Sequence, residues 1–175
     1  MIDIHTHILP GIDDGAQDIY DSIEMAALAY ENGTRVIVAT PPCNIPGLYD
    51  NYFGEEYTRL FRDTKKILRK EVPGITLLAG METFATEEMP RLLSEGKIFP
   101  INRTRYVLME FDFREDLGFA DRMLKQVRQV RGIPVVAHAE RYEFVQDDPE
   151  IVYRWKQAGC EIQVNKGSFM GRFGR

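Results

Sequence analysis

Two hydrophobic rhythms alternate along this chain. Short apolar runs suited to buried strands begin at Ile2 and recur at Val36–Ala39, Thr76–Ala79, Arg105–Glu110, Pro134–Ala137 and Glu161–Asn165. Between them the spacing lengthens to the helical period. Ile23, Ala26, Ala27 and Tyr30 stand at i, i+3, i+4 and i+7, behind Asp18 or Asp21 as a cap and ahead of the Asn32-Gly33 stop. Tyr57, Leu60, Phe61, Thr64, Ile67 and Leu68 stripe a long helix over about Glu55–Glu71, which Pro73-Gly74 closes. A short helix is predicted near Glu87–Ser94. Another opens at Asp116 or a neighbour, with Leu117, Ala120, Leu124, Val127 and Val130 inward. A last one has Pro149 in its first turn and carries Ile151, Val152 and Trp155.

Strand and helix therefore alternate with short connections, without repeats or linkers. That order predicts an α/β fold with a parallel sheet and right-handed crossovers. The 175 residues suit one domain, and 44% hydrophobic residues can build its core without disulfides. Cys43 and Cys160 lie far apart in dissimilar contexts, as in a reducing cytoplasm. A net charge of -5 leaves no basic footprint for nucleic acid. No stretch reads as a signal peptide or membrane span.

The chemistry gathers at strand ends. The chain has three histidines. His5 and His7 close the first strand at i and i+2, on one face. His138 ends Pro134–Ala137. Glu82 follows the third apolar run, through Gly80-Met81, and Glu110 ends the fourth. Asp13 and Asp14 lie in a Gly-rich loop that can fold back toward the histidines. In parallel α/β folds these ends share the face that carries function. Ligands drawn from the first, third, fourth and fifth strands converge more readily around a barrel than along an open sheet.

Singly, each residue has a plainer reading. Glu82 can cap a helix, Glu110 can pair with Arg114, and His138 can be a core histidine. Jointly, those readings do not explain why every histidine falls at a strand end. Five mixed nitrogen and oxygen ligands exceed the four of a structural zinc site and suit two neighbouring metals. Such a pair serves phosphate ester hydrolysis. The donor set leaves Mn, Fe and Zn open. Arg141, three residues past His138, offers a planar fork for phosphate, or an ion pair to Glu140 or Glu143. Arg172 and Arg175 are weaker phosphate candidates. Cys43 lacks the Cys-x5-Arg loop of a thiol phosphatase.

The opening Met1-Ile2-Asp3-Ile4-His5-Thr6-His7-Ile8-Leu9-Pro10, then Asp13-Asp14-Gly15, resembles the bacterial PHP-type (polymerase and histidinol phosphatase) tyrosine-protein phosphatases of capsule and exopolysaccharide gene clusters. The resemblance runs on through Asp21–Ala26, Ala39-Thr40-Pro41, Gly80-Met81-Glu82, Leu108–Phe111, Ala137-His138-Ala139-Glu140-Arg141 and Gln163–Ser168. It implies a distorted (β/α)7 barrel with a cluster of two or three metal ions, usually manganese, with Fe or Zn as alternatives. It carries metal ligation to His5, His7, Asp14, Glu82, Glu110 and His138, and catalytic phosphate binding to Arg141. The implied reaction is attack of a metal-bound hydroxide on phosphotyrosine in the tail of a partner tyrosine kinase that regulates polysaccharide synthesis. The implied location is cytoplasmic.

Two departures stand out. Where the family has a histidine ligand, this chain has Pro42, and the family's later Asp-x-His strand is absent from these 175 residues. The expectation is one PHP-type domain over 1–175 that lacks the last strand and its helices. It would hold fewer metals, and another copy of the chain would cover its open edge. Two alternatives follow: a catalytically impaired metal- or phosphate-binding remnant, or a phosphatase of a small phosphate monoester.

Overall fold

The computed structural model describes residues 1–171. In chain order the strands are β1 (Ile2–Thr6), β2 (Val36–Ala39), β3 (Pro42–Cys43), β4 (Thr76–Ala79), β5 (Glu82–Phe84), β6 (Tyr106–Glu110), β7 (Ile133–Val136) and β8 (Glu161–Ile162). The helices are α1 (Ile19–Glu31), α2 (Glu55–Glu71), α3 (Met89–Ser94), α4 (Leu117–Gln129), α5 (Glu143–Asp147), α6 (Glu150–Gln157) and α7 (Lys166–Phe169). Among the described residues the strands form two sheets, ordered β1-β2-β4 and β3-β5-β6-β7-β8, and every strand pair is parallel. The expected mixed α/β architecture with parallel pairing is present.

The six expected strands become eight because two of them bend. β2 leaves the first sheet at Ala39 and resumes after Thr40-Pro41 as β3 in the second. β4 does the same through Gly80-Met81 and resumes as β5. Gly80 fits because the side chains of Val38 and Thr40 crowd it. A Cβ on it would lie 2.8 Å from Val38 Cγ1 and 3.3 Å from Thr40 Cγ2. The buried Tyr57 hydroxyl, from α2, donates to Gly80 O at 2.9 Å and pins the bend. The stretch after Thr40 thus holds a short strand, which the apolar pattern did not mark. The expected strand Glu161–Asn165 shortens to Glu161–Ile162.

Two main clusters of buried side chains fill the space between sheets and helices. One gathers Ile37, Leu77 and Met81 of the first half with Tyr57 and Leu68 of α2. The other gathers Val107, Met109 and Val136 with Met123 and Val127 of α4 and Trp155 of α6. β6 is covered on both faces, since Leu108 points the other way and packs with Val135 and Ala137. Ile4 of the first sheet joins that inner group. Burial on both faces is what makes β6 apolar along its length. α1 is set by Asp18, whose carboxylate accepts from Tyr20 N at 2.8 Å and Asp21 N at 3.0 Å. The buried Ser22 hydroxyl of α1 donates to Ile8 O at 2.8 Å and ties the helix to the loop after β1.

Candidate metal centre

The strand ends and bends deliver their polar side chains to one place. Glu82 opens β5, directly after the second bend, and its side chain is almost fully buried. Its Oε1 lies 3.0 Å from His5 Nε2 and 3.0 Å from His138 Nε2, while its Oε2 lies 3.0 Å from His7 Nε2. Glu110, at the end of β6, reaches His138 Nε2 at 3.4 Å. All three histidines and both glutamates picked out from the sequence thus meet. Arg114 pairs with Glu143 at 3.0 Å instead of with Glu110.

The route of each histidine differs from a plain strand. β1 ends at Thr6, one residue short of His7, and its register with β2 slips between Asp3 and Thr6. The His5 amide takes Asp3 Oδ1 as its acceptor at 3.1 Å. Such an irregularity re-aims a side chain. The His5 and His7 rings still converge, with centroids 5.6 Å apart. His138 has left-handed backbone, φ 32°, a conformation that non-glycine residues adopt under constraint. Gly15 meets the other side of His7. A Cβ there would stand 2.1 Å from His7 O and 2.4 Å from His7 Cβ, so only glycine admits this approach.

The loop after β1 brings both aspartates to His7. Asp14 Oδ1 lies 3.0 Å from His7 Nδ1, and Asp14 is exposed. Asp13, left open by the sequence and outside the ligand set that the resemblance implied, is the more enclosed of the two. Its side chain is fully buried, and Oδ1 accepts from Gly15 N at 2.8 Å. Its Oδ2 has no hydrogen-bond partner among the described residues and lies 3.9 Å from His7 Nδ1. Gln163 is a further residue at the site, one that no sequence signal marked. Its Oε1 touches His5 Nδ1 at 3.1 Å and His138 N at 2.7 Å.

Charge and burial oppose each other here. Burial works against the positive form of His7 and His138. Glu82 more than offsets it for His7, aided by Asp13 and Asp14, and Glu110 with Glu82 does so for His138. Both histidines are pushed up to about 9. Burial alone would raise Glu82, yet its hydrogen bonds to His138, His5 and His7 hold it well below the usual carboxylate range. Asp13 is raised, chiefly by burial.

Three overlapping groups can hold a cation: His5, His7 and Glu82; His7, Asp13 and Asp14; and Glu82, Glu110 and His138. Within each, one ligand atom per residue lies within 4.8 Å of the others. His7 and Glu82 each belong to two groups. Mixed imidazole and carboxylate donors with shared members suit neighbouring divalent metals, so the residues present fit the group the sequence suggested.

Arg141 lies in the short turn after His138, and its guanidinium sits 4.2 Å over the Phe113 ring. Phe113 in turn packs edge-on to the His138 ring at 5.7 Å. Pro42 pairs in register with Glu82, beside the cluster, and gives its carbonyl to Asn51 Nδ2 at 2.9 Å. Cys43 is buried, and burial first, then Asp50, pushes its thiol up to about 12, which removes it as a nucleophile. Arg172 and Arg175 lie outside the described residues.

Fold and site together define a parallel α/β protein with a histidine–carboxylate cluster that could hold metal ions. The whole chain, residues 1–175, matches the family described as capsular polysaccharide synthesis, CpsB/CapC, and it belongs to that family. It is 35% identical to tyrosine-protein phosphatase YwqE of Bacillus subtilis (strain 168), over 100% of this chain and 68% of that protein. It is 28% identical to the putative tyrosine-protein phosphatase CapC of Staphylococcus aureus, over 99% of this chain and 68% of that one. Among solved structures it resembles one from the work on YwqE of B. subtilis and CpsB of Streptococcus pneumoniae, described as unique metal-dependent tyrosine phosphatases. The TM-score is 0.91 at 36% identity, covering 100% of this chain and 70% of that one. No helix among the described residues is long and apolar enough to cross a membrane.

Proposed function

We propose that this chain is a metal-dependent protein-tyrosine phosphatase that acts on the phosphotyrosine tail of a tyrosine kinase regulating capsular or exopolysaccharide synthesis. The observation that carries the reading is the sharing of Glu82 and His7 among three ligand groups, in a chain whose relatives are named tyrosine phosphatases. His5, His7, Asp14, Glu82, Glu110 and His138 would hold the metals, with Asp13 added on the strength of its buried carboxylate. Manganese is the preferred ion, with Fe or Zn able to take the same donors. When bound, the metals supply Lewis acidity for the phosphoryl oxygens and activate water.

The chain's own residues do the rest. Glu82 and Glu110 set the negative charge that draws cations in. Gly15 and the bend at Gly80 hold the donors in register. Arg141, steadied on Phe113, would orient the phosphate through two parallel hydrogen bonds. Both cysteines are unpaired. With no thiol poised as a nucleophile at Cys43, no covalent phosphoenzyme is expected. We read the architecture as one PHP-type barrel unit and place the reaction in the cytoplasm.

The test is hydrolysis of a phosphotyrosyl peptide by protein stripped with chelator, then reloaded with Mn2+. Turnover that disappears and returns with the metal supports the phosphatase. A second reading rests on Pro42, which stands beside Glu82 where the resemblance expects a histidine ligand. Metal uptake without turnover on a phosphotyrosyl peptide or a small alkyl phosphate would favour that reading, a binding protein. Turnover of the small phosphate alone would move the substrate class.

A further inference from the structure

Gln163 joins two of the histidines through a single atom. Its backbone is fixed beyond β8: Gln163 N donates to Val136 O at 2.9 Å, and Ala139 N donates to Gln163 O at 3.1 Å. Its side-chain Nε2 donates to Asn165 Oδ1 at 2.9 Å. Glu140 anchors this loop in turn, since its Oε1 accepts from Ser168 Oγ at 2.6 Å and from Asn165 N at 3.3 Å.

The decisive contact is with the His138 backbone N–H, 2.7 Å from Gln163 Oε1. A backbone amide only donates, so the side-chain atom facing it is the oxygen. An amide oxygen only accepts. The second contact of the same atom, to His5 Nδ1 at 3.1 Å, therefore requires the hydrogen on Nδ1. With that hydrogen on Nδ1, the nitrogen left to bind a metal would be Nε2, the atom 3.0 Å from Glu82 Oε1 and turned into the cluster. The same oxygen holds His138 in its left-handed turn, which delivers that ring to Glu82 and Glu110.

We infer that Gln163 is a positioning residue of the metal centre, selecting the metal-binding tautomer of His5 and locking the backbone of His138. The inference rests on the metal-centre reading above. Outer partners of this kind typically change metal affinity by about 10- to 100-fold when removed.

The experiment has two arms. In the first, metal-free protein is titrated with Mn2+, with free ion read by electron paramagnetic resonance, for the natural chain, Gln163→Leu and Gln163→Glu. Leu keeps the bulk and removes the acceptor, so binding should weaken about 10- to 100-fold. Glu keeps an acceptor for both donors, so binding should stay within a few-fold. A residue that only packs would not separate the two variants in this way. In the second arm, which needs no variant, histidine nitrogen spectra of the zinc-loaded natural chain should show His5 with its hydrogen on Nδ1. Leu binding as tightly as the natural chain, or His5 with its hydrogen on Nε2, overturns the inference while leaving the metal centre intact. A natural chain that takes up no metal overturns both.

Discussion

Metal uptake should depend steeply on pH, and the structure sets the slope. His7 and His138 are each pushed up to about 9. At pH 7 each is therefore held mainly in its protonated form in the metal-free protein. An imidazolium has no lone pair to give, so a cation must displace both protons. Each displacement costs about 3 kcal/mol at pH 7. Because the two rings share Glu82, the protons leave as a coupled set. The apparent association constant should thus rise about 100-fold per pH unit from pH 7, flattening near 9. Titration calorimetry with Mn2+ between pH 6.5 and 8.5, in buffers of contrasting ionisation enthalpy, counts the protons directly. These two histidines should release about two at pH 7, and His138→Gln should remove about one from the count. A flat pH dependence, or an unchanged count in His138→Gln, would refute the assignment of these rings as ligands.

The same shifts fix how stability responds without metal. A histidine raised in the folded state contributes stability that is fully present below its unfolded value of 6.5. That contribution is lost as pH climbs through the folded value of about 9. Metal-free protein should therefore lose thermal stability between pH 6.5 and 9, and metal-loaded protein should not.

Three further outcomes follow from particular contacts. Gly15→Ala puts a methyl group 2.1 Å from the His7 carbonyl oxygen. It should cost about 1–3 kcal/mol by thermal denaturation and weaken metal uptake, and unchanged binding would remove the steric argument. Arg141→Lys gives up planar two-point binding. It should lower kcat/KM for a phosphotyrosyl peptide by about 10- to 100-fold at unchanged metal content, the effect of one charge-assisted hydrogen bond. Iodoacetamide at neutral pH should leave native Cys43 and Cys160 unmodified, since both are buried with raised thiols; alkylation that tracks loss of activity would bring thiol chemistry back into the mechanism.

Sequence reading succeeded where one local rule dominated. α2 runs over Glu55–Glu71 as its stripe and its Pro73-Gly74 stop foretold. Asp18 and Asp116 are the caps of α1 and α4. The histidines and glutamates were legible because few side chains donate to metals and they fall at strand ends. The bends were not legible. Thr40-Pro41 and Gly80-Met81 read as strand terminators, and only the pairing of Pro42 with Glu82 in the second sheet shows the chain changing sheets. Asp13 and Asp14 are adjacent in sequence, so burial alone separates them. Gln163 carries no periodic or charge signal, and its role exists only through the turn at His138.

Those two bends also account for the electrostatics. By carrying Glu82 into the second sheet, the chain buries one carboxylate among three imidazoles drawn from both sheets. A buried carboxylate is tolerated only beside positive charge. Two kinds of charge can satisfy it here, protons on His7 and His138 or divalent metal on the same nitrogens. The raised histidines and the proposed metal affinity are thus one property of the fold, expressed toward two competing cations. That competition is why proton release on metal binding, more than activity alone, tests how the site is built.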